Sequence, residues 1–426
     1  MTKRDKRDKK MGKTGRRYDE NRIGALDAVR AVSIIFIVWL HVWEQNWLTP
    51  YIDMEGSILR YIGIDRSYLQ LFVRYGVIFV ETLLLLSAVC NFIPYAKSIV
   101  LGTPWPDMKT FYKKRAIRVI PSYLLAVLVP FFLSVFSGDY SGRVGFAFAD
   151  LFTDLTFTNI FFPTVNASTA INGVLWTMQV EFWFYVAFPF MALAFKKRPV
   201  TSFSVAWVVT IFLNRLVIFN LNDNYRVYGM YNPLVYLGLY ANGFLITILY
   251  FYIKDSKLAD NKYLSMFSIT GFIMSSVYLC KLLNSCGLVN KDIIMVEQKI
   301  QVEMAFTAMI FFLMLSGKTV NRFCANRLFL YISGISYNLY LWHQVVMLKF
   351  KEWRIPSYTG DVSPNQLGDM VWSKKYMVIT LLVGVLIAHV LTDFFEVPVA
   401  QKLKRRLGIK KNVAPVEIEA YEEIDQ

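Results

Sequence analysis

Charged residues, histidines and cysteines are all scarce in this chain. Only 18% of its 426 residues are charged, while 55% are hydrophobic, whereas a soluble domain carries about 25% charged residues. The four cysteines, Cys90, Cys280, Cys286 and Cys324, lie in or beside apolar segments, and their spacing matches no metal site. The composition excludes an ordinary soluble domain, and the cysteines are best explained by apolar packing.

Long apolar segments recur along the chain instead. Segments of about 20 residues can cross a bilayer as helices. With no soluble domain, repeat or low-complexity linker, the sequence predicts an all-α, polytopic membrane domain at 23–400, between a basic tail at 1–22 and a second tail at 401–426. About ten spans are predicted, roughly at 26–47, 71–96, 117–136, 174–195, 200–219, 233–253, 263–283, 301–316, 328–350 and 376–397.

The net charge of +15 is divided unevenly between alternate loops. Lysine and arginine concentrate before residue 23, at 97–118 and after residue 401, whereas the long loop 137–173 contains a single arginine. This distribution fits the positive-inside rule with both termini in the cytoplasm. No cleavage site follows the first apolar segment, so we expect an uncleaved first span. Membrane lipids are therefore the expected partner of the basic residues, and nucleic acid is not.

Arg30 and His41 are two ionisable residues within one predicted membrane helix. Eleven positions at about 100° per residue return the chain to within roughly 20° of the same face, about 16 Å further along the axis. Such residues are costly in a membrane and are interpreted as a site by default. For His41 the alternatives are a hydrogen bond to a neighbouring helix and a general base. His389, in the tenth span, is interpreted as structural.

Further polar residues fall at a similar depth in the predicted topology. Glu181 in the fourth span and His343 in the ninth lie in the outer third of the membrane, and Ser336 and Tyr340 share one helical face with His343. Glu81 in the second span lies at a comparable level, where it is expected to neutralise a partner. Charges at one depth are most easily stabilised by each other or by a wet cavity.

Arg115 and Arg118 open the third span and share a face because they are three residues apart. A pair of guanidinium groups suits phosphate, which arginine binds through two parallel hydrogen bonds. The alternative is that these residues only anchor the span at the lipid headgroups. The residues themselves leave this choice open.

Five segments resemble, in order, the motifs of the membrane-bound acyltransferase-3 family. RIGALDAVRAVSIIFIVWLH resembles its opening helix, in which Leu-Asp-x-x-Arg-Ala precedes a histidine, with ten residues between the arginine and the histidine. The other four are similar to its arginine pair, its Trp-Ser-Leu-x-x-Glu segment, its Ser-Tyr-x-x-Tyr-Leu-x-His segment and its terminal Glu-x-Pro. The matching residues are Asp27, Arg30, His41, Arg115, Arg118, Pro121, Tyr123, Trp176, Glu181, Tyr185, Pro189, Ser336, Tyr337, Tyr340, His343, Glu396 and Pro398.

The resemblance implies an enzyme of the plasma membrane that moves an acyl group, usually acetyl, from acyl-coenzyme A to a hydroxyl of a glycan or other surface molecule. Acetyl-coenzyme A, or another acyl-coenzyme A, is then the co-substrate, held by Arg30, Arg115 and Arg118, and no metal is expected. His41 is expected to act as a general base or as an acyl carrier, with Glu181 orienting it. The acceptor and the oligomeric state are not predicted.

Other matching residues are given lesser roles by the resemblance. Ser336, Tyr340 and His343 are candidates for binding the acceptor or stabilising an oxyanion, although fixing helix packing explains Glu181 and His343 almost as well. Asp27, Ser87 and Trp176 are expected to support the structure, Asp27 by pairing with Arg30.

The second span departs from the family's motif. The second span reads LLLLSAVCN, so Ala88 follows Ser87 where the family usually has a glycine, and the close backbone approach that glycine allows is in question.

Ten spans around a polar cleft would also suit an exporter or flippase for a polysaccharide or its lipid-linked precursor. Binding of a coenzyme separates the two functions, because a transporter has no use for it.

Overall fold

The computed structural model describes residues 23–46, 69–221, 226, 228–286 and 293–409, so the predicted tail at 1–22 lies outside the described residues. The described chain is 84% helical and has no strands, which confirms the all-α prediction. The main helices are α1 (Gly24–Asn46), α2 (Phe79–Leu101), α3 (Met108–Ser137), α4 (Val144–Leu155), α5 (Leu175–Lys197), α6 (Pro199–Asn220), α7 (Leu237–Asp255), α8 (Lys262–Ser285), α9 (Lys299–Leu315), α10 (Lys318–Cys324), α11 (Arg327–Glu352), α12 (Met370–Leu391) and α13 (Val397–Arg406).

Polar side chains begin several of these helices. Asp107 accepts a hydrogen bond from the backbone N–H of Thr110 at 2.8 Å, and Asn326 and Asp369 cap α11 and α12 in the same way. A side-chain acceptor of this kind satisfies backbone donors that the first helical turn leaves unpaired. The caps therefore fix the starts of α3, α11 and α12.

Helices occupy all ten segments predicted to cross the membrane. In the part of the chain that the structure describes, eight helices are long and apolar enough to span a bilayer, or nine if α9 and α10, bent by 113° to each other, form one span. The remaining predicted span is α11, a 26-residue helix that carries many polar residues. The chain is thus a helical membrane protein, while the number of crossings stays a prediction.

Small residues bring α2 and α7 into close contact at the centre of the bundle. A Cβ atom added to Gly243 in α7 would lie only 2.6 Å from the Cβ of Ala88 in α2. The close approach is therefore present even though Ala88 replaces the glycine of the family motif. Here the glycine is on the partner helix.

A buried cluster of charges ties α2 to α9. The Lys299 ammonium lies 3.1 Å from Glu81 and 2.7 Å from Glu303, and it also sits 3.7 Å from the ring centroid of Tyr236. Lys299 and Glu303 are fully buried, and Glu81 is nearly so. Lys299, the first residue of α9, is the partner that the sequence left unidentified for Glu81.

Both ends of the described chain lie at one end of the bundle, beside the first half of α11. The Ser333 hydroxyl donates to Asp27 at 3.1 Å, near the start of α1. The Asn338 amide donates to Glu396 at 2.7 Å, where α13 begins. At the opposite end of the bundle, Lys349 near the end of α11 lies 3.4 Å from Asp139, which follows α3.

Candidate functional site

A polar cavity lies between α1, α2, α3, α5 and α11. It encloses about 780 Å³ of empty space, part of it open to solvent. Three arginines and one glutamate face it. Its lining consists of Arg30, Val80, Leu83, Leu84, Ser87, Asn91, Arg115, Arg118, Val119, Thr177, Met178, Glu181, Tyr185, Ser336, Tyr337 and Tyr340.

The three arginines come from two helices. Arg115 and Arg118 lie about one turn apart on α3, so both face the cavity, as their spacing predicted. The Arg115 guanidinium is 5.7 Å from the ring centroid of Tyr185, and Arg118 lies 3.9 Å from the Glu396 carboxylate. Arg30 of α1 faces the same cavity, with its guanidinium 3.7 Å from the Cys90 sulfur. This concentration of positive charge suits an anionic ligand.

Glu181 lies across the cavity on α5. Tyr185, one turn further along α5, donates a hydrogen bond from its hydroxyl to the Glu181 carboxylate. On α2, the Asn91 amide donates to the Ser87 hydroxyl at 3.1 Å, so a polar patch continues along the neighbouring helix. The cavity therefore combines acidic, basic and neutral polar groups.

His41 and His343 form a hydrogen-bonded pair between α1 and α11. Nδ1 of His41 lies 3.1 Å from Nε2 of His343 and 2.9 Å from the carbonyl oxygen of Ile37. Nδ1 of His343 lies 2.7 Å from the carbonyl of Tyr340 and 3.0 Å from that of Leu339. Carbonyl oxygens only accept, so both Nδ1 atoms carry hydrogen.

These assignments define the chemistry of the pair. With hydrogen on its Nδ1, neutral His343 presents a lone pair on Nε2, which shares the single Nδ1–H of His41 with the carbonyl oxygen of Ile37. The basic lone pair of His41 is then on its Nε2. A histidine whose Nδ1–H is held by an acceptor is the arrangement used by general bases.

The hydroxyls proposed for an oxyanion already donate to the protein. The Tyr340 hydroxyl donates to the carbonyl of Val174 at 3.1 Å and accepts from Thr177 at 2.7 Å. The Ser336 hydroxyl donates to the carbonyl of Ser333 at 2.7 Å. In this conformation both side chains therefore connect helices or helical turns.

Most of the predicted site residues lie either in the cavity lining or in the neighbouring histidine pair. Arg30, Ser87, Arg115, Arg118, Glu181, Ser336 and Tyr340 line the cavity. His41 and His343 do not appear in its lining, but the ring of Tyr340 lies 5.8 Å from that of His343 and connects the two places.

Asp27, Trp176 and His389 belong neither to the cavity lining nor to the histidine pair. Asp27 accepts from Ser333 on α11, and Trp176 stacks on Tyr231 with ring centroids 4.1 Å apart. His389 lies 3.5 Å from Asp393, one turn further along the chain.

Four polar residues of the lining have no role predicted from the sequence. Tyr185 follows Glu181 by four residues and Asn91 follows Ser87 by four, a spacing that puts each pair on one helical face. Tyr337 matches a family motif without a predicted role, and Thr177 gave no signal. The Tyr337 hydroxyl donates to the carbonyl of Val119 at 2.9 Å, a contact across 218 residues of sequence.

Among the described residues, no group of three or more histidine, cysteine, aspartate or glutamate side chains is placed to hold a metal ion. The four cysteines are free thiols.

The sequence profile of the acyltransferase-3 family, described as an acyltransferase domain, matches residues 23–389. The chain belongs to this family. It is a membrane acyltransferase, and the matched segment contains the cavity and the histidine pair. No curated protein and no solved structure matches the chain. Glu396 lies just beyond the matched segment, yet it contacts Arg118 in this acyltransferase.

Proposed function

We propose that this acyltransferase moves an acyl group, most simply acetyl, from acyl-coenzyme A to a hydroxyl of a surface or lipid-linked glycan in the plasma membrane. The observation that carries the proposal is the histidine pair, which directs a basic lone pair to Nε2 of His41. The neighbouring cavity offers three guanidinium groups to the phosphates of the coenzyme. The family supports acyl transfer in general, and the donor and acceptor are our proposal.

In the proposed reaction, Nε2 of His41 takes the proton of the acceptor hydroxyl. The hydroxyl oxygen attacks the thioester carbonyl, the carbon–sulfur bond breaks, and the departing thiolate receives the proton from His41. Glu181 supplies a negative charge in the adjacent cavity, opposite its three arginines. In the alternative route, Nε2 of His41 attacks the thioester carbonyl, the carbon–sulfur bond breaks, and the coenzyme leaves as its thiolate. The acceptor hydroxyl then attacks the acyl-imidazole, the bond to Nε2 breaks, and the hydroxyl proton passes through His41 to the thiolate.

The test uses purified protein in lipid nanodiscs, acetyl-coenzyme A binding by calorimetry, and mass spectrometry of glycans from expressing cells. Wild type is expected to bind the coenzyme and to add an acetyl-sized mass. His41→Ala is expected to bind it and to lose transfer by about 10²-fold or more. Arg115→Ala is expected to lose binding, while Arg327→Ala, an exposed control outside the cavity, retains it.

Two results would contradict the proposal. Full transfer by His41→Ala would remove His41 from the chemistry. No coenzyme binding by folded wild type, with unchanged glycan masses, would favour an exporter or flippase. Labelled acetyl-coenzyme A without acceptor separates the two routes, because label retained on wild type and lost in His41→Ala indicates an acyl carrier.

A further inference from the structure

Helix α4 has its polar side facing the protein and its apolar side facing outward. Val144, Phe148 and Phe152 recur every four residues and are 68%, 69% and 67% exposed. Asp150 and Asp154 lie on the opposite face and are buried. This is the reverse of a helix on a water-soluble surface, where apolar residues face the core.

The buried face of α4 is fixed by hydrogen bonds. Asp150 accepts from the hydroxyl of Tyr140 at 2.6 Å and from the backbone N–H of Ala170 at 3.1 Å. Asp154 accepts from the amide of Gln179 on α5 at 2.6 Å. These bonds hold α4 in one rotational orientation, so the outward direction of its phenylalanines is built into the fold.

The exposed face of α4 continues the lipid-facing surface of the bundle. Helix α3 is long and apolar enough to span the membrane, and its exposed Phe132 and Phe136 lie in its last two turns. Only Gly138 to Arg143 separate α3 from α4, and the two helices pack against each other. Asp150 and Asp154 are the only charged residues of α4, so its outward face has no charge to favour water.

We propose that α4 lies in the interfacial region of the bilayer, with Phe148 and Phe152 inserted among the acyl chains of the leaflet at the α3 C-terminal end. Phenylalanines on an uncharged face are typical of helices that lie in the plane of the membrane surface. An apolar patch of this kind exposed to water would favour aggregation. Within the segment predicted as an outer loop at 137–173, α4 is thus a membrane-bound element.

Spin labelling of the full-length protein in phosphatidylcholine vesicles tests this placement. Labels are attached at Phe148→Cys and Phe152→Cys after the four native cysteines are replaced by serine. Leu382→Cys, exposed on the spanning helix α12, is the lipid-facing control. Thr359→Cys, exposed in the loop after α11 at the same end of the bundle, is the water-facing control.

Labels at 148 and 152 are expected to be relaxed more by oxygen than by a water-soluble nickel chelate, as at position 382. A chelate accessibility equal to that at position 359 would overturn the proposal. If the serine background does not fold, benzoylphenylalanine at position 148 of the otherwise native chain replaces the label. Photocrosslinking to lipid supports the proposal, and crosslinking only to a second copy of the chain, or no lipid adduct, overturns it.

Discussion

Two of the three histidines hydrogen-bond to each other, which makes His343 a positioning residue for His41. His343→Phe removes one of the two acceptors near the Nδ1–H of His41 and leaves only the carbonyl of Ile37 on the same helix, so the ring loses its hydrogen bond to α11. We expect kcat to fall by about tenfold or more, with the KM for acetyl-coenzyme A little changed. Initial rates over a range of coenzyme concentrations measure both constants.

Two variants separate this role from a general loss of structure. His343→Gln retains a side-chain oxygen that can accept from His41, so it is expected to recover part of kcat. His389→Gln changes the remaining histidine, which lies 3.5 Å from Asp393 outside the cavity lining, and is expected to leave kcat unchanged. Equal activity of wild type and His343→Phe would contradict the positioning role.

The stability of the fold is also expected to depend on pH through a single residue, Asp154. Burial, and then the nearby charge of Asp150, raise the pKa of the Asp154 carboxyl well above its ordinary value of 3.8. The folded state therefore binds a proton more strongly than the unfolded state, so this carboxyl makes stability fall as pH rises above about 4 toward the folded pKa. We expect Asp154→Asn to weaken the fall in thermal midpoint between pH 5 and pH 8.

The amide in Asp154→Asn keeps an oxygen that accepts from Gln179, so the variant removes the titration and preserves the contact. Asp361→Asn, at an exposed loop position, serves as the control and is expected to follow the wild-type profile. An identical pH profile for Asp154→Asn and wild type would show that Asp154 does not contribute.

At the scale of whole helices, one glycine determines how closely α2 and α7 pack. Gly243→Ala would place two Cβ atoms about 2.6 Å apart, closer than van der Waals contact allows. We expect this change to destabilise the protein by about 1–3 kcal/mol. The double variant Gly243→Ala with Ala88→Gly moves the glycine to the other helix and is expected to restore most of the loss. Thermal unfolding in detergent measures the stability of both variants. If the double variant does not recover stability, another contact is responsible for the loss in Gly243→Ala.

The contact between α2 and α9 depends on charge. One ammonium, on Lys299, faces two buried carboxyl groups, on Glu81 and Glu303. Lys299→Met leaves these carboxyl groups without their cation and is expected to lower stability by about 3–5 kcal/mol. Adding Glu81→Gln and Glu303→Gln removes the uncompensated charge and is expected to recover much of the lost stability. Unfolding midpoints of the single and triple variants measure both effects, and a wild-type midpoint for Lys299→Met would contradict the argument.

For the whole molecule, the sequence predicted the helices better than their partners. Apolar runs located the helices because length and composition are local properties, and spacing placed Arg115 and Arg118 on one face. The partner of Glu81 and the contact between His41 and His343 depend on residues 218 and 302 positions apart in sequence, which no local pattern reports. The inward face of α4 depends on hydrogen bonds to segments outside the helix. The proposed roles of the site residues stay predictions.

The arrangement of the chain ends leads to a prediction about orientation. Asp27 and Glu396 both bind the first half of α11, so residues near both ends of the described chain lie at one end of the bundle. Lys109, exposed at the start of α3, is at that end, and Thr359 is at the other. The concentration of lysine and arginine around 97–118 predicts that the Lys109 end faces the cytoplasm.

Cysteine labelling in intact cells tests this orientation, with Lys109→Cys and Thr359→Cys introduced one at a time into the cysteine-free chain. A membrane-impermeant maleimide is expected to label position 359 directly and position 109 only after permeabilisation. The reverse pattern would place the three cavity arginines near the outer face, where cytoplasmic acyl-coenzyme A cannot reach them. Labelling of both positions in intact cells would mean that the two ends share a side, which contradicts a span along the length of α3.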